Sequence, residues 1–208
     1  MIFFYGYDSI SLDNSKHGEI IRKLGIAFDC HNTLVDSNYA WTKAFVDYVG
    51  KEHEENILMD LFGRRLKRRD IATKYGVDYN LVEKQSYRYS NLNGKAFLLI
   101  ESAHDIGIPV FVISNAPLEN VVKDLQNVGI DSCFEKIFSK EDGGKSNTEI
   151  FDNILNDYGL EILLFIGNEE FDDNIPHPSV LSVVITDFLL QRFSIVRNKE
   201  VNEQGRIV

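Results

Sequence analysis

The sequence predicts an α/β protein: a three-layer arrangement with a parallel sheet covered by helices on both faces, and a small helical domain inserted after the first strand. Three observations lead there. Short, continuous apolar runs recur along the chain, amphipathic stretches separate the later ones, and residues 36–93 carry helical patterning only. Apolar strands between amphipathic helices are the signature of a parallel sheet buried on both sides.

The first strand is expected at residues 24–28, with others at 109–113, 134–138, 162–166 and 182–185. Helices are expected at 94–106, 118–128 and 148–158. In the last of these, Ile150, Phe151, Ile154, Leu155 and Tyr158 fall on one helical face. The insertion reads as helices at 39–52, 55–75 and 81–91, with Gly76 opening a break. The chain therefore divides into a core of residues 1–36 and 91–208 and a helical insertion of residues 37–90. A strand at 1–10 and a hairpin of 193–197 with 205–208 are expected as edge elements.

The chain has 208 residues, 44% hydrophobic and 26% charged, the composition of a folded globular protein. No stretch reaches the roughly 20 apolar residues of a membrane span. The apolar N-terminus has no basic flank and meets Asp8 early, so it does not read as a secretory signal. Two cysteines, Cys30 and Cys133, are too few for a disulfide framework, and the expected setting is the cytoplasm. A net charge of −10 repels phosphate backbones and anionic membranes, so neither nucleic acid nor membrane is an expected partner. Against that balance, Arg64, Arg65, Lys67, Arg68 and Arg69 crowd five basic residues into six positions.

Ligands of parallel sheets bind at the carboxyl ends of the strands. There the sequence places Asp29-Cys-His31-Asn-Thr33 after the first strand and Ser114-Asn115 after the second. Lys145 lies past the third, and Gly167-Asn168-Glu169 with Asp172 and Asp173 past the fourth. A carboxylate that attacks, a cation and hydroxyls that hold oxygens, and acids that hold a divalent cation together suit phosphoryl transfer.

These four segments, in this order, resemble the motifs of the haloacid dehalogenase superfamily, most of whose members are Mg²⁺-dependent phosphatases. The first motif, Asp-x-Asp-x-Thr, stands as Asp29, His31 and Thr33. The second ends in Ser114. The third stands as Lys145 with Glu149-Ile150-Phe151 and both prolines replaced, and the fourth as Gly167-Asn168 with Asp172. The resemblance implies a Rossmann-like core with a helical cap that selects substrate. Asp29 is then the nucleophile that forms an aspartyl-phosphate. Thr33 and Ser114 orient it and bind phosphate, Lys145 neutralises charge, and Asn115 touches substrate. Mg²⁺ would lie among Asp29, the His31 main-chain carbonyl, Asn168 and Asp172. The implied substrate is a small phosphorylated metabolite.

Two departures from the pattern matter. His31 replaces the aspartate that works as general acid and base; an imidazole can both donate and accept a proton. Asn168 replaces a metal-facing aspartate, which removes one negative charge from the site. They leave room for two other readings: a hydrolase of carbon–halogen or carbon–phosphorus bonds, and a non-catalytic or regulatory protein that keeps the fold. Glu169 could compensate for the lost charge, and whether it or Asp173 assists the metal is left open. In the insertion, the basic run reads either as a solvated helix face paired with Asp60 and Asp70, or as an anion-attracting surface with Arg64, Arg65 or Arg68 facing the site. Trp41, Phe45 and Tyr48 repeat at helical spacing and read as core packing.

Overall fold

The computed structural model describes residues 23–169 and 173–184. The expected edge elements at 1–10, 193–197 and 205–208 lie outside the described residues, as does Asp172. Five parallel strands form one sheet: β1 (Leu24–Phe28), β2 (Val110–Ile113), β3 (Lys136–Phe138), β4 (Ile162–Gly167) and β5 (Val180–Val184). Their order is β3-β2-β1-β4-β5. The chain walks outward from β1 to β3 and then crosses back to the other side of β1. The crevice of such a sheet lies at that reversal, here between β1 and β4.

The core follows from strand alternation, since successive side chains point to opposite faces. Ile26 and Phe28 of β1, with Val110 and Val112 of β2, pack on one face beneath helices Gly94–Asp105 and Leu118–Asn127. Ala27, Phe111, Ile113 and Phe165 pack on the other, against Ile150, Phe151 and Ile154 of helix Thr148–Asp157. β5 begins two residues before its expected start. Ser182, which broke the apolar pattern, accepts the Ile175 N–H at 2.9 Å, and Leu181 and Val183 alternate outward to solvent.

The insertion contains helices α1 (Ser37–Val49), α2 (Glu54–Leu58), α3 (Arg68–Tyr75) and α4 (Tyr79–Ser86). Among the described residues the core adds α-helices α5 (Gly94–Asp105), α6 (Leu118–Asn127) and α7 (Thr148–Asp157). Trp41, Phe45, Ile57, Ile71 and Val82 form an apolar cluster separate from those of the sheet. Tyr48 is a correction: it is exposed rather than packed in that core. A second correction concerns the continuous helix expected at 55–75. A wide π turn at Met59–Gly63 and a non-helical link to Arg68 interrupt it. The cause is Asp60, which is fully buried and gathers Arg64 and Lys74 at 2.5 Å each and the Tyr75 hydroxyl at 3.2 Å. Its main-chain carbonyl accepts the Leu66 N–H, and Arg65 adopts φ +50° to make the bend.

Candidate active site

The turn after β1 is built by its own polar residues. The Asp29 N–H donates to the Ile166 carbonyl at 2.8 Å, which ties the strand end to β4. Asn32 takes the left-handed conformation (φ 60°) that Asn tolerates, and its Oδ1 accepts the Ser37 hydroxyl and the Asn38 N–H at the start of α1. Thr33 is buried, and its hydroxyl donates to Asn168 Oδ1 at 3.2 Å. The first and fourth strand ends are thereby joined, although Thr33 itself is not among the residues that line the crevice.

Lys145 arrives by a different route. Ser114, buried at the end of β2, accepts the Ala116 N–H at 3.2 Å and so shapes the turn before α6. Asn115 Oδ1 accepts the Lys145 N–H at 2.9 Å and anchors the segment after β3. Gly144, at φ +63°, lies against that Asn115 oxygen, where a Cβ would collide. The Lys145 ammonium then enters the site 3.0 Å from Asp29 Oδ1 and also bonds Asp173.

Asp173 is fully buried, and its second oxygen accepts the Glu169 N–H at 2.6 Å. Gly167 has no room for a Cβ because the Asp173 side chain fills that space. The sequence left open whether Asp173 assists the metal; here it is paired with Lys145. Its depth in the loop is set by contacts that local spacing does not reveal.

The charges are strongly coupled. Burial works against the Lys145 ammonium, but the Asp29 and Asp173 carboxylates hold it above the ordinary lysine range. Burial pushes the Asp29 carboxyl above the ordinary carboxylate range; Lys145 opposes that shift and the Asp173 charge adds to it. Cys30, behind Asp29, is fully buried in the apolar core, and burial pushes its thiol well up, which suits an inert residue.

Asp29, His31, Asn32, Ser114, Asn115, Ala116, Lys145, Asn168 and Glu169 line one crevice of about 140 Å³. Six of the residues expected in the site therefore meet there. The arginines separate. Arg64 turns to Asp60 inside the insertion. Arg68 lies 4.6 Å from the centre of the Trp41 ring, and burial lowers its pKa. Only Arg65 reaches toward the crevice, 3.5 Å from Glu169. The sequence reading missed Asp124 altogether. It lies on the buried face of α6 between Val121 and Leu125, and its Oδ2 is 2.8 Å from His31 Nε2. A lone acid on an amphipathic helix's apolar face was the signal that could have found it.

The groups that the family resemblance implies for a divalent cation, the Asp29 carboxylate, the His31 main-chain carbonyl and Asn168 Oδ1, are all oxygens. Hard oxygen donors fit Mg²⁺. Asp173 is engaged by Lys145, no cluster of three or more His, Cys, Asp or Glu suited to a metal occurs among the described residues, and Asp172 lies outside them.

An aspartate–lysine pair thus stands in a crevice at the reversal of the strand order, where ligands of parallel sheets bind. A family model for haloacid dehalogenase-like hydrolases matches residues 24–172, and the chain belongs to that family of enzymes. Among solved structures, a hydrolase from Streptococcus pneumoniae TIGR4 has a TM-score of 0.60 at 18% identity, covering 82% of this chain and 97% of that one. L-2-haloacid dehalogenase from Xanthobacter autotrophicus, with chloropropionic acid covalently bound, has a TM-score of 0.58 at 17% identity over 83% and 82% of the two chains. A HAD family hydrolase from Deinococcus radiodurans R1 with bound phosphate and sodium has a TM-score of 0.54 at 17% identity over 70% and 72%. At these identities the likeness is one of fold. No curated protein matches the sequence. Among the described residues, no helix is long and apolar enough to cross a membrane.

Proposed function

We propose that the chain is a phosphatase of a small phosphorylated metabolite, with Asp29 as the nucleophile that forms an aspartyl-phosphate. The observation that carries this reading is the buried Asp29–Lys145 pair, 3.0 Å apart, at the floor of a polar crevice. Asp29 attacks phosphorus, and the bond to the leaving oxygen breaks. Lys145 neutralises charge on both the nucleophile and the transferring group. The Ser114 hydroxyl and the Asn115 amide offer donors to the phosphoryl oxygens. Asp29, the His31 main-chain carbonyl and Asn168 would hold Mg²⁺, which when bound neutralises charge developing on the phosphoryl group.

The lining argues for phosphate over a carbon–halogen substrate. Asn32, Ser114, Asn115, Lys145, Asn168 and Glu169 present polar groups where an alkyl halide would need apolar contact. The helical insertion would act as a cap, with Arg65 at the crevice mouth drawing substrates that carry a second anionic group. The test is release of p-nitrophenol from its phosphate, with and without Mg²⁺, beside release of chloride from 2-chloropropionate. The first without the second supports the proposal. Chloride release alone contradicts it, and neither activity favours the non-catalytic reading.

A further inference from the structure

We propose that Asp124 is a positioning residue, which fixes the His31 imidazole in one tautomer and one orientation so that Nδ1 is the nitrogen offered to the crevice. A carboxylate on the apolar face of a helix is costly unless it is hydrogen bonded. Asp124 is 9% exposed, its neighbours Val121 and Leu125 are fully buried, and His31 Nε2 is its hydrogen-bond partner at 2.8 Å. That bond places the ring's donor on Nε2. Nδ1 has no hydrogen-bond partner among the described residues, yet none of their buried side-chain nitrogens or oxygens lacks one. Nδ1 is therefore not sealed in the interior. His31 itself lines the crevice, two residues from Asp29, and that crevice is the opening we assign to its free nitrogen.

The negative charge of Asp124 also reaches the insertion. Burial and that charge together push the Tyr87 hydroxyl up to about 12, and the same charge opposes the lowering of Arg68. The carboxylate thus stands where the core meets the insertion, with its hydrogen bond directed to His31.

This inference rests on the phosphatase reading for its use. In hydrolysis of the aspartyl-phosphate, a water oxygen bonds to phosphorus, and the bond from phosphorus to the Asp29 oxygen breaks, restoring the carboxylate. The water proton passes to Nδ1. The ring then gives that proton to the leaving oxygen of the next ester.

The test needs two readouts on the whole protein. Long-range ¹H–¹⁵N NMR of the free wild type reports the tautomer without any substrate. The expected spectrum has His31 as a single Nε2–H form, which becomes mixed in Asp124→Asn. A wild type with Nδ1–H or mixed tautomers would overturn the proposal. On an alkyl phosphate, Asp124→Asn should lower kcat by about 10–100-fold with KM little changed. His31→Gln should cost at least as much, and the double variant no more than His31→Gln alone. Multiplying losses in the double variant would also overturn it. A wild type that hydrolyses no phosphate ester contradicts the proposed function instead, and the NMR result then decides the positioning by itself.

Discussion

Lys145 Nζ lies 3.0 Å from Asp29 Oδ1, with both side chains only 7% exposed, and the same ammonium bonds Asp173 on its other side. One cation thus compensates two buried carboxylates, and the arrangement serves stability and chemistry together. Removing one partner of a buried charge pair leaves the others uncompensated, at a cost of about 3–5 kcal/mol. Lys145→Met should lose turnover and unfold more easily at neutral pH. Acids whose folded pKa is raised stabilise the fold as they take up protons, so the deficit should shrink as pH falls. Thermal unfolding of both proteins from neutral to acid pH measures this; a pH-independent deficit contradicts the pairing.

Asp60 predicts the opposite sign. Burial works against its charge, but hydrogen bonds from Lys74 and Arg64 hold its carboxyl below the ordinary range. A depressed carboxyl contributes stability above its unfolded value, about 3.9, and loses it as pH falls through the folded value. Asp60→Asn should therefore cost about 1–3 kcal/mol at neutral pH, the penalty of unmaking a buried bond. The gap to wild type should close below about pH 4. Denaturant titrations at several pH values check it, and a gap that persists in acid means the charge is not what Asp60 contributes.

Arg64 and Arg65 are neighbours in sequence with different surroundings. Arg64→Ala removes a partner of buried Asp60 and should lower the Tm while leaving KM alone. Arg65→Ala breaks an exposed pair with Glu169, worth about 0–1 kcal/mol, and should leave the Tm near wild type. If Arg65 draws the second anionic group of a substrate, its loss raises KM for doubly charged esters and not for p-nitrophenyl phosphate. Equal KM effects on both esters would remove Arg65 from substrate selection.

Asn168→Asp should tighten Mg²⁺ binding, because it replaces a neutral amide oxygen with a charged carboxylate oxygen. Thr33 already donates to Oδ1 at this position, so the aspartate would be received without rearrangement. Calorimetric titration of Mg²⁺ into both proteins decides it. Unchanged affinity means that Asn168 does not face the metal.

The strands and the four polar strand ends were legible because both rest on local pattern: Leu24–Phe28 is a continuous apolar run, and Asp29 follows it directly. The break before Arg68 was not, because it depends on a buried acid drawing Arg64 and Lys74 from either side. Nor was the partner of Asp124: the lone acid on the apolar face of α6 marks the residue, but its bond to His31 appears only when α6 is docked beside the β1 turn. Asp173 belongs to the same class: its bond to Lys145 joins residues 28 apart. The chemistry that local spacing encodes was visible, and the chemistry made by packing was not.

The central claim is that Asp29 becomes phosphorylated during turnover. The direct measurement is acid quenching of the protein mixed with a rapidly turned-over phosphate ester, then peptide mass spectrometry. The peptide carrying Asp29 should gain one phosphoryl group, which borohydride reduction converts to homoserine at position 29, and Asp29→Asn should show neither change. A wild-type protein that hydrolyses the ester while Asp29 stays unmodified, or an Asp29→Asn variant that turns over normally, would contradict the account.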